Sequence, residues 1–320
     1  MMAPTPRISV IICTFNRAEL LKGALQSVVE QSLEKTLFEV VVVDNASTDN
    51  TGEVINSFEA QYSLPPILRV CELAQGLGYA RNKGYRNARG RYVAFMDDDC
   101  LAPKDWLKSV LACFESVEPE PWSVGGPIFP IYESPKPKWF KDEYERTTWG
   151  EQARFLRRGE SFYGNNMAFK RSLLEQYGGF DLRVDMNGAY LSVGGETALY
   201  ERMWHSVGAS CLFYYCPQAS MYHKISPHRM TIVYRLKRAF AEGQAWYCLH
   251  APRSVGERLY LIIRTTAALI WHGGKAIARG RPIPSWANWV VDAVGPLAFC
   301  AGRAVGSFGL LIAVRERDGK

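Results

Sequence analysis

The stretch YVAFMDDDC, residues 92–100, decides how this chain is read. Near-continuous apolar β-formers, Val93 to Met96, run straight into Asp97, Asp98 and Asp99. The apolar part reads as a buried strand. Three adjacent carboxylates repel one another, so they need either water to solvate them or a cation to neutralise them. A strand-ending acidic run is thus a solvated turn or a cation site. A calcium loop fits less well, because the downstream glycine and the twelfth-position Glu of such loops are missing.

The flanking sequence repeats the same layout. Residues 8–13 read as a buried strand, and NRAELLKGALQSVVEQ (16–31) then puts Leu20, Leu21, Ala24, Leu25, Val28 and Val29 on one helical face. Asn16 with Glu19 three residues on resembles a capping box. FEVVVVD is a second buried strand ending at Asp44, and TGEVINSF starts a second helix. ILRVCE is a third strand, YARNKGYRNA a third helix, and RYVAFMD a fourth strand. The next helix points Trp106, Leu107, Val110, Leu111 and Phe114 inward. This β-α alternation through about residue 115 predicts a parallel sheet covered by helices. Ligands of such sheets bind beyond the carboxyl ends of the strands. Those ends carry CTFNR, DNAS and DDD, so three polar clusters converge on one edge.

Residues 117–160, rich in Pro, Trp and charge, read as a long loop over the site. From 161 the chain returns to strand, helix and turn, and after 228 the pattern is mostly helical. The segment VVDAVGPLAFCAGRAVGSFGLLIAV, 290–314, is long enough to cross a bilayer, but Asp292 and Arg303 interrupt it. Gly302 and Gly306 give a small-xxx-small spacing that lets helices approach closely. The segment is either a buried helical hairpin or a membrane-contacting one. Arg258, Arg264, Arg279, Arg281, Arg303, Arg315 and Arg317 share that region, and apolar area with cationic side chains suits an anionic leaflet. Peripheral attachment is expected rather than a crossing. The same helices could instead pack on each other or on a second subunit of a homo-oligomer.

Composition narrows the classes. The chain has 320 residues, 48% apolar and 22% charged, an ordinary globular balance with room for a sizeable core. The net charge of +6 is mild and suits anionic partners such as nucleotides or acidic lipid; no nucleic-acid partner is expected. Eight cysteines show no C-x-x-C spacing, so neither a zinc ribbon nor a redox motif is indicated. Reduced thiols and a cytoplasmic location follow. The apolar run 8–13 is too short for a signal peptide.

Four segments in order, ISVIICTFNRAELLKGALQSVVEQ, FEVVVVDNASTDNT, GYARNKGYRNARGRYVAFMDDDC and GNNMAFKRSLLEQYGGFD, resemble the family 2 glycosyltransferases. The likeness covers roughly residues 8–225. It implies an α/β chain of the GT-A nucleotide-diphosphosugar transferase fold, a Rossmann-like mixed sheet with flanking helices, plus a C-terminal helical region. The expected division is a GT-A domain over 1–228, with a nucleotide-binding half (1–115) and an acceptor-binding half (116–228), then a helical region over 229–320. The resemblance also implies sugar transfer with inversion, from a nucleotide-diphosphosugar donor to a glycan or lipid-linked acceptor, usually with Mn²⁺ or Mg²⁺.

By that resemblance Asp99 contacts the metal and Asp97 or Asp98 the ribose or sugar hydroxyls. Hard cations bridging phosphate oxygens take one or two protein carboxylates, which agrees. The resemblance gives Thr14, Phe15, Asn16 and Arg17 to the nucleotide base and ribose, Asp44 to a base N–H, and Arg81 to the diphosphate or base. In GETALYERM (195–203) family members often carry Glu-Asp, where one carboxylate deprotonates the acceptor. Here Glu196 is followed by Thr197, so Glu196 takes the base position and Asp181 is the reserve candidate. His223 would complete the metal shell, an imidazole suiting Mn²⁺ better than Mg²⁺. His228 and Arg229 could meet the leaving diphosphate. Trp139, Phe140, Trp149, Phe162 and Tyr163 are acceptor-site candidates, since aromatic faces stack on sugars but also pack cores. A sugar nucleotidyltransferase would want a glycine-rich triphosphate loop after the first strand, and a Rossmann dehydrogenase a G-x-G-x-x-G there; CTFNRAEL offers neither. A non-catalytic nucleotide-binding scaffold is the alternative from another class.

Overall fold

The computed structural model describes residues 5–182, 184, 194–208, 211–250, 254–278, 286–307 and 312. They belong to two compact units. The first is Met1–Ile131, Glu145–Leu182 and Gly195–Lys224; the second is Tyr132–Tyr144, Arg183–Gly194 and Ile225–Lys320.

The first unit opens with β1 (Ile8–Thr14), α1 (Ala18–Val29), β2 (Phe38–Asp44), α2 (Thr51–Gln61), β3 (Ile67–Cys71), α3 (Leu77–Asn87) and β4 (Tyr92–Asp97). It continues with β5 (Cys100–Leu101), α4 (Trp106–Ser116), β6 (Ser123–Gly125), β7 (Ile128–Tyr132), β8 (Arg154–Phe155) and β9 (Met167–Lys170). Then come α5 (Arg171–Gln176), α6 (Gly195–Val207), β10 (Phe213–Tyr215) and β11 (Met221–Ile225). The main sheet runs β3-β2-β1-β4-β9-β6-β10-β8. The first four of these strands are parallel; β9 is antiparallel to both β4 and β6. The sheet is therefore mixed, with its parallel half at the N-terminal end of the chain. A smaller sheet has the order β5-β11-β7.

Both faces of the parallel half are covered, which is why β2 reads as an unbroken apolar run and every one of its residues is buried. Ile8, Val10 and Ile12 of β1 meet Leu21, Leu25 and Val28 of α1 and Trp106, Leu107 and Val110 of α4. Ile11 points the other way, into a cluster with Tyr85 of α3 and Leu199, Tyr200 and Met203 of α6. The stretch 117–160 is not one long loop: it contributes β6, β7 and β8. These strands are two to five residues long and broken by Gly and Pro, too short to carry a period-2 signal. All eight cysteines are free thiols.

In the second unit, α7 (Ile232–Leu249) and α8 (Val255–Ala278) are followed by α9 (Trp286–Trp289). A π-helical turn, Val290–Val294, joins α9 to α10 (Gly295–Ser307). The π turn lies directly before Pro296, which has no N–H to give to the carbonyl four residues back. A Cβ on Gly302 would sit 2.0 Å from the Phe240 carbonyl oxygen, and one on Gly243 would sit 2.0 Å from that of Phe299. The small residues thus bring α7 and α10 into backbone contact. Both charges that interrupt the apolar segment have partners inside this unit. Asp292 pairs with Lys141 and accepts from the Tyr144 hydroxyl at 2.8 Å. Arg303 is buried, donates to Thr265 at 2.8 Å and stacks its guanidinium 4.6 Å from the Trp246 ring. None of residues 287–306 is exposed, so this stretch is a packing element. Residues 308–311 and 313–314 of the same segment lie outside the described residues, as do Arg279, Arg281, Arg315, Arg317 and the side chain of Arg258. Among the described residues, no helix is long and apolar enough to cross a membrane.

Gly302→Val should be strongly destabilising, by about 1–3 kcal/mol or more, because helix backbone cannot retreat as a flexible side chain can. A thermal melt should fall by several degrees. A melt indistinguishable from wild type would mean that α7 and α10 do not touch at Gly302.

Candidate active site

The strand ends finish level. Thr14 lies opposite Asp44 across β1 and β2, and Cys13 lies opposite Asp97 across β1 and β4. The turn after β1 and the acidic run after β4 therefore leave the sheet side by side. Asp98 is buried, and its carboxylate accepts from Thr14 Oγ1 at 2.8 Å and from Arg17 at 3.1 Å. Burial, with the charge of Asp99 and Asp97 added, pushes Asp98 up to about 7 despite the opposing pull of Arg17 and Thr14. Arg17 also reaches Asp99 at 3.3 Å.

Asp99 is met from across the small sheet. β11 runs antiparallel to β5 with His223 opposite Cys100, and the Lys224 N–H donates to the Asp99 carbonyl at 2.9 Å. His223 Nε2 then lies 3.3 Å from Asp99 Oδ1. The ligand atoms of Asp99, Cys100 and His223 all lie within 4.8 Å of one another. Cys100 is fully buried, and burial together with the neighbouring aspartates pushes its thiol well up. A neutral thiol is a poor ligand for a hard cation. The usable donors are a carboxylate and an imidazole, a set that fits Mn²⁺. Sequence reading did not include Cys100, although its place next to Asp99 is visible there.

Arg81, buried on α3, stands between two carboxylates: 3.6 Å from Asp97 Oδ1 and 3.5 Å from Glu196 Oε2. Its guanidinium also lies over the Phe180 ring at 5.4 Å. Gly164 leaves room for it, since a Cβ there would sit 2.0 Å from Arg81 Nη2. Glu196 is in the first turn of α6, where the helix dipole favours a carboxylate. Asp97, Arg81 and Glu196 thus form a chain of alternating charge along the edge of the sheet.

The turn after β1 is built differently from the capping box expected of it. The residue preceding α1 is Arg17, and no side chain of its own caps the helix. Asn16 has φ 52°, a left-handed conformation that asparagine tolerates. Its Oδ1 accepts from Thr48 N at 2.7 Å and Asp49 N at 3.3 Å, while Asp49 Oδ2 accepts from Ala18 N at 3.2 Å. The cap comes from the β2–α2 loop, 31 residues away, because Asn16 is committed to holding that loop. Phe15 is half-buried. Asp44 is buried and accepts from Arg69 at 2.7 Å and from Ser47 N at 3.0 Å. Arg69 was not foreseen, since nothing in ILRVCE marks it as facing Asp44.

The remaining candidates have these surroundings within their own units. Asp181 lines a cavity of about 410 Å³ with Tyr79, Asn82 and Arg86 of α3 and Arg202 of α6. Phe162 is buried in the core, and Trp149 donates to the Ser161 carbonyl at 3.1 Å. Tyr163 is exposed. Trp139 and Phe140 belong to an aromatic cluster of the second unit with Tyr132 and Tyr144. Arg229 of that unit donates to the Tyr234 hydroxyl at 3.0 Å, and His228 packs edge-on against the same ring.

Residues 9–178 match the family model described as "Glycosyl transferase family 2". A glucosyl-dolichyl phosphate glucuronosyltransferase of Haloferax volcanii is 26% identical over 245 residues, 74% of this chain and 75% of that protein. Glycosyltransferase AglE of the same organism is 38% identical over 108 residues, 34% of this chain and 35% of that protein. Among solved structures, the mannosyltransferase PcManGT of Pyrobaculum calidifontis, in complex with GDP-Man and Mn²⁺, aligns over 95% of this chain and 88% of its own, with a TM-score of 0.61 and 20% identity. TarS 1–349 of S. aureus with UDP aligns over 95% and 92%, with a TM-score of 0.53 and 18% identity. These structural likenesses speak to the fold, which is GT-A with added C-terminal helices.

Asn16→Ala should loosen the junction of the two loops. It removes the shared acceptor and puts alanine in a left-handed conformation, at a cost of about 1–3 kcal/mol. Amide exchange at Thr48 and Asp49 should speed up by roughly tenfold or more. Unchanged protection at both amides would mean that Asn16 does not hold the loop.

Proposed function

We propose that this chain, which belongs to glycosyl transferase family 2 and is a glycosyltransferase, moves a sugar from a nucleotide-diphosphosugar to a hydroxyl of a polysaccharide or lipid-linked glycan, with inversion and with Mn²⁺ or Mg²⁺. The observation that carries the reading is the approach of Asp99 to His223 at the sheet edge where Asp97, Arg81 and Glu196 also meet. The relative named for a glucosyl-dolichyl phosphate supports a lipid-linked acceptor, and the neighbour holding GDP-Man and Mn²⁺ supports a metal-bound diphosphate donor.

Asp99 and His223 would hold the cation, which supplies positive charge to the diphosphate as it leaves. The turn Thr14–Arg17 and Asp44 take the nucleoside, with Arg69 holding Asp44 in place. Asp97 or Asp98 accepts from ribose or sugar hydroxyls. The acceptor oxygen attacks the anomeric carbon from the face opposite the leaving group; the new C–O bond forms as the bond to the diphosphate breaks. The hydroxyl proton passes to Glu196, and the bonding pair leaves with the phosphate oxygen. Arg81 has two functions here. It keeps Glu196 near Asp97, and its guanidinium offsets charge that grows on the diphosphate. Attachment at the cytosolic face of a membrane would bring the enzyme to a lipid-linked acceptor.

A thermal-shift screen of UDP, GDP and dTDP sugars with Mn²⁺ identifies the donor, since a ligand of the folded state raises the melting temperature. Asp99→Asn should lose metal-dependent binding of that nucleoside diphosphate in calorimetry while folding normally. Equal affinity in the variant would remove Asp99 from the metal site. Glu196→Gln should bind donor about as wild type and lose transfer by roughly 10²–10⁴-fold, because the amide keeps an oxygen to accept from Arg81 but cannot take the proton. Near wild-type transfer by Glu196→Gln, with loss in Asp181→Asn, would give the base role to Asp181.

A further inference from the structure

The described stretch 290–307 of the apolar segment most visible in the sequence, 290–314, is packed against α7 within its own unit. Among the described residues of that unit, a row of exposed apolar side chains lies elsewhere, on α8. Tyr260, Ile263, Ile270 and Trp271 are 63%, 60%, 72% and 61% exposed. With Ala267, also exposed, they recur at helical spacing and cover an arc of roughly 100°. Thr265, on the opposite side, is buried and receives the Arg303 hydrogen bond, which fixes the rotation of the helix with the stripe outward.

We propose that α8 is the element that lies on the membrane, its stripe sunk into the headgroup region of an anionic leaflet. The inference rests on the peripheral attachment proposed above and names the helix responsible. Three observations select a bilayer as the occupant. From Arg253 to Arg281 the sequence carries six Lys or Arg residues and Glu257 as its one acidic residue, and Arg264 is exposed beside the stripe. A segment with this charge balance complements anionic lipid. Against a second copy of itself the same charge works in reverse, because a self-contact brings two segments of net positive charge together. Finally, Tyr260 and Trp271 have the amphipathic rings that favour the membrane–water interface. The helix does not meet the length and apolarity needed to cross, so it lies in the plane.

The test is flotation of the full chain with vesicles of phosphatidylcholine alone or with about 30 mol% phosphatidylglycerol. Wild type should float with the anionic vesicles and far less with the neutral ones, and binding should weaken as salt rises from about 0.1 to 0.5 M. The Ile263→Glu, Ile270→Glu double variant should bind about tenfold more weakly or worse, with an unchanged melting temperature, since both positions are exposed. Arg264→Glu should weaken binding to anionic vesicles alone. A double variant that floats as well as wild type overturns the assignment to α8 while leaving peripheral attachment in place. Failure of wild type to float on either vesicle overturns both. If neither protein floats and the double variant turns a dimer into a monomer in light scattering, the stripe is a subunit contact and the proposal falls.

Discussion

The level finish of β1 and β4 is the constraint on which the rest depends. Cys13 opposite Asp97 puts Thr14 within reach of Asp98 and Arg17 within reach of both Asp98 and Asp99. A slip of one residue would turn Asp98 to the other face and take its partners away. Burial on both faces of β4 prevents that. Tyr92, Ala94 and Met96 enter one core, Val93 and Phe95 the other, so no shifted register leaves both filled. The packing of apolar side chains thus determines where the charges end up.

Those charges are arranged to offset one another. Three consecutive carboxylates are met by cationic or ionisable groups from three distant segments: Arg17 after β1, Arg81 on α3 and His223 on β11. Arg17 is the most exposed of these three and can move away at least cost; Arg81 and His223 are buried and cannot. On the proposed function this division is useful. A cation arriving with a diphosphate can take the place of Arg17 beside Asp99, and the freed guanidinium remains close enough to meet phosphate oxygens.

How much of this was legible depends on range. β1, β2 and β4 are apolar runs, and α1 and α4 repeat their core residues at helical spacing, so each declares itself within a dozen residues. The polar clusters at their ends were legible for the same reason. Arg69 facing Asp44 and Cys100 facing His223 were not, because register between distant strands decides them. Asn16 shows a local pattern overruled. Asn16 and Glu19 have the spacing of a capping box, but hydrogen bonds to Thr48 and Asp49 hold the asparagine in a left-handed turn and Asp49 caps the helix instead. At the C-terminal end, hydropathy singled out 290–314 for its total apolarity. Exposure depends on what each face meets, and the glycines at 243 and 302 give that segment a neighbour.

The small sheet has a consequence for how the protein is made. His223 reaches Asp99 because β11 inserts between β5 and β7, strands that precede it by roughly a hundred residues. On the ribosome the acidic run is finished long before its imidazole partner exists. Until β11 emerges, β5 and β7 lack the strand that joins them, and their free edges are open to wrong pairing. The last strand of the first unit is therefore both a closure of the fold and a component of the site. A chain truncated ahead of residue 221 would keep the parallel half of the main sheet, with its aspartates and Arg17, and would never assemble the pair at Asp99.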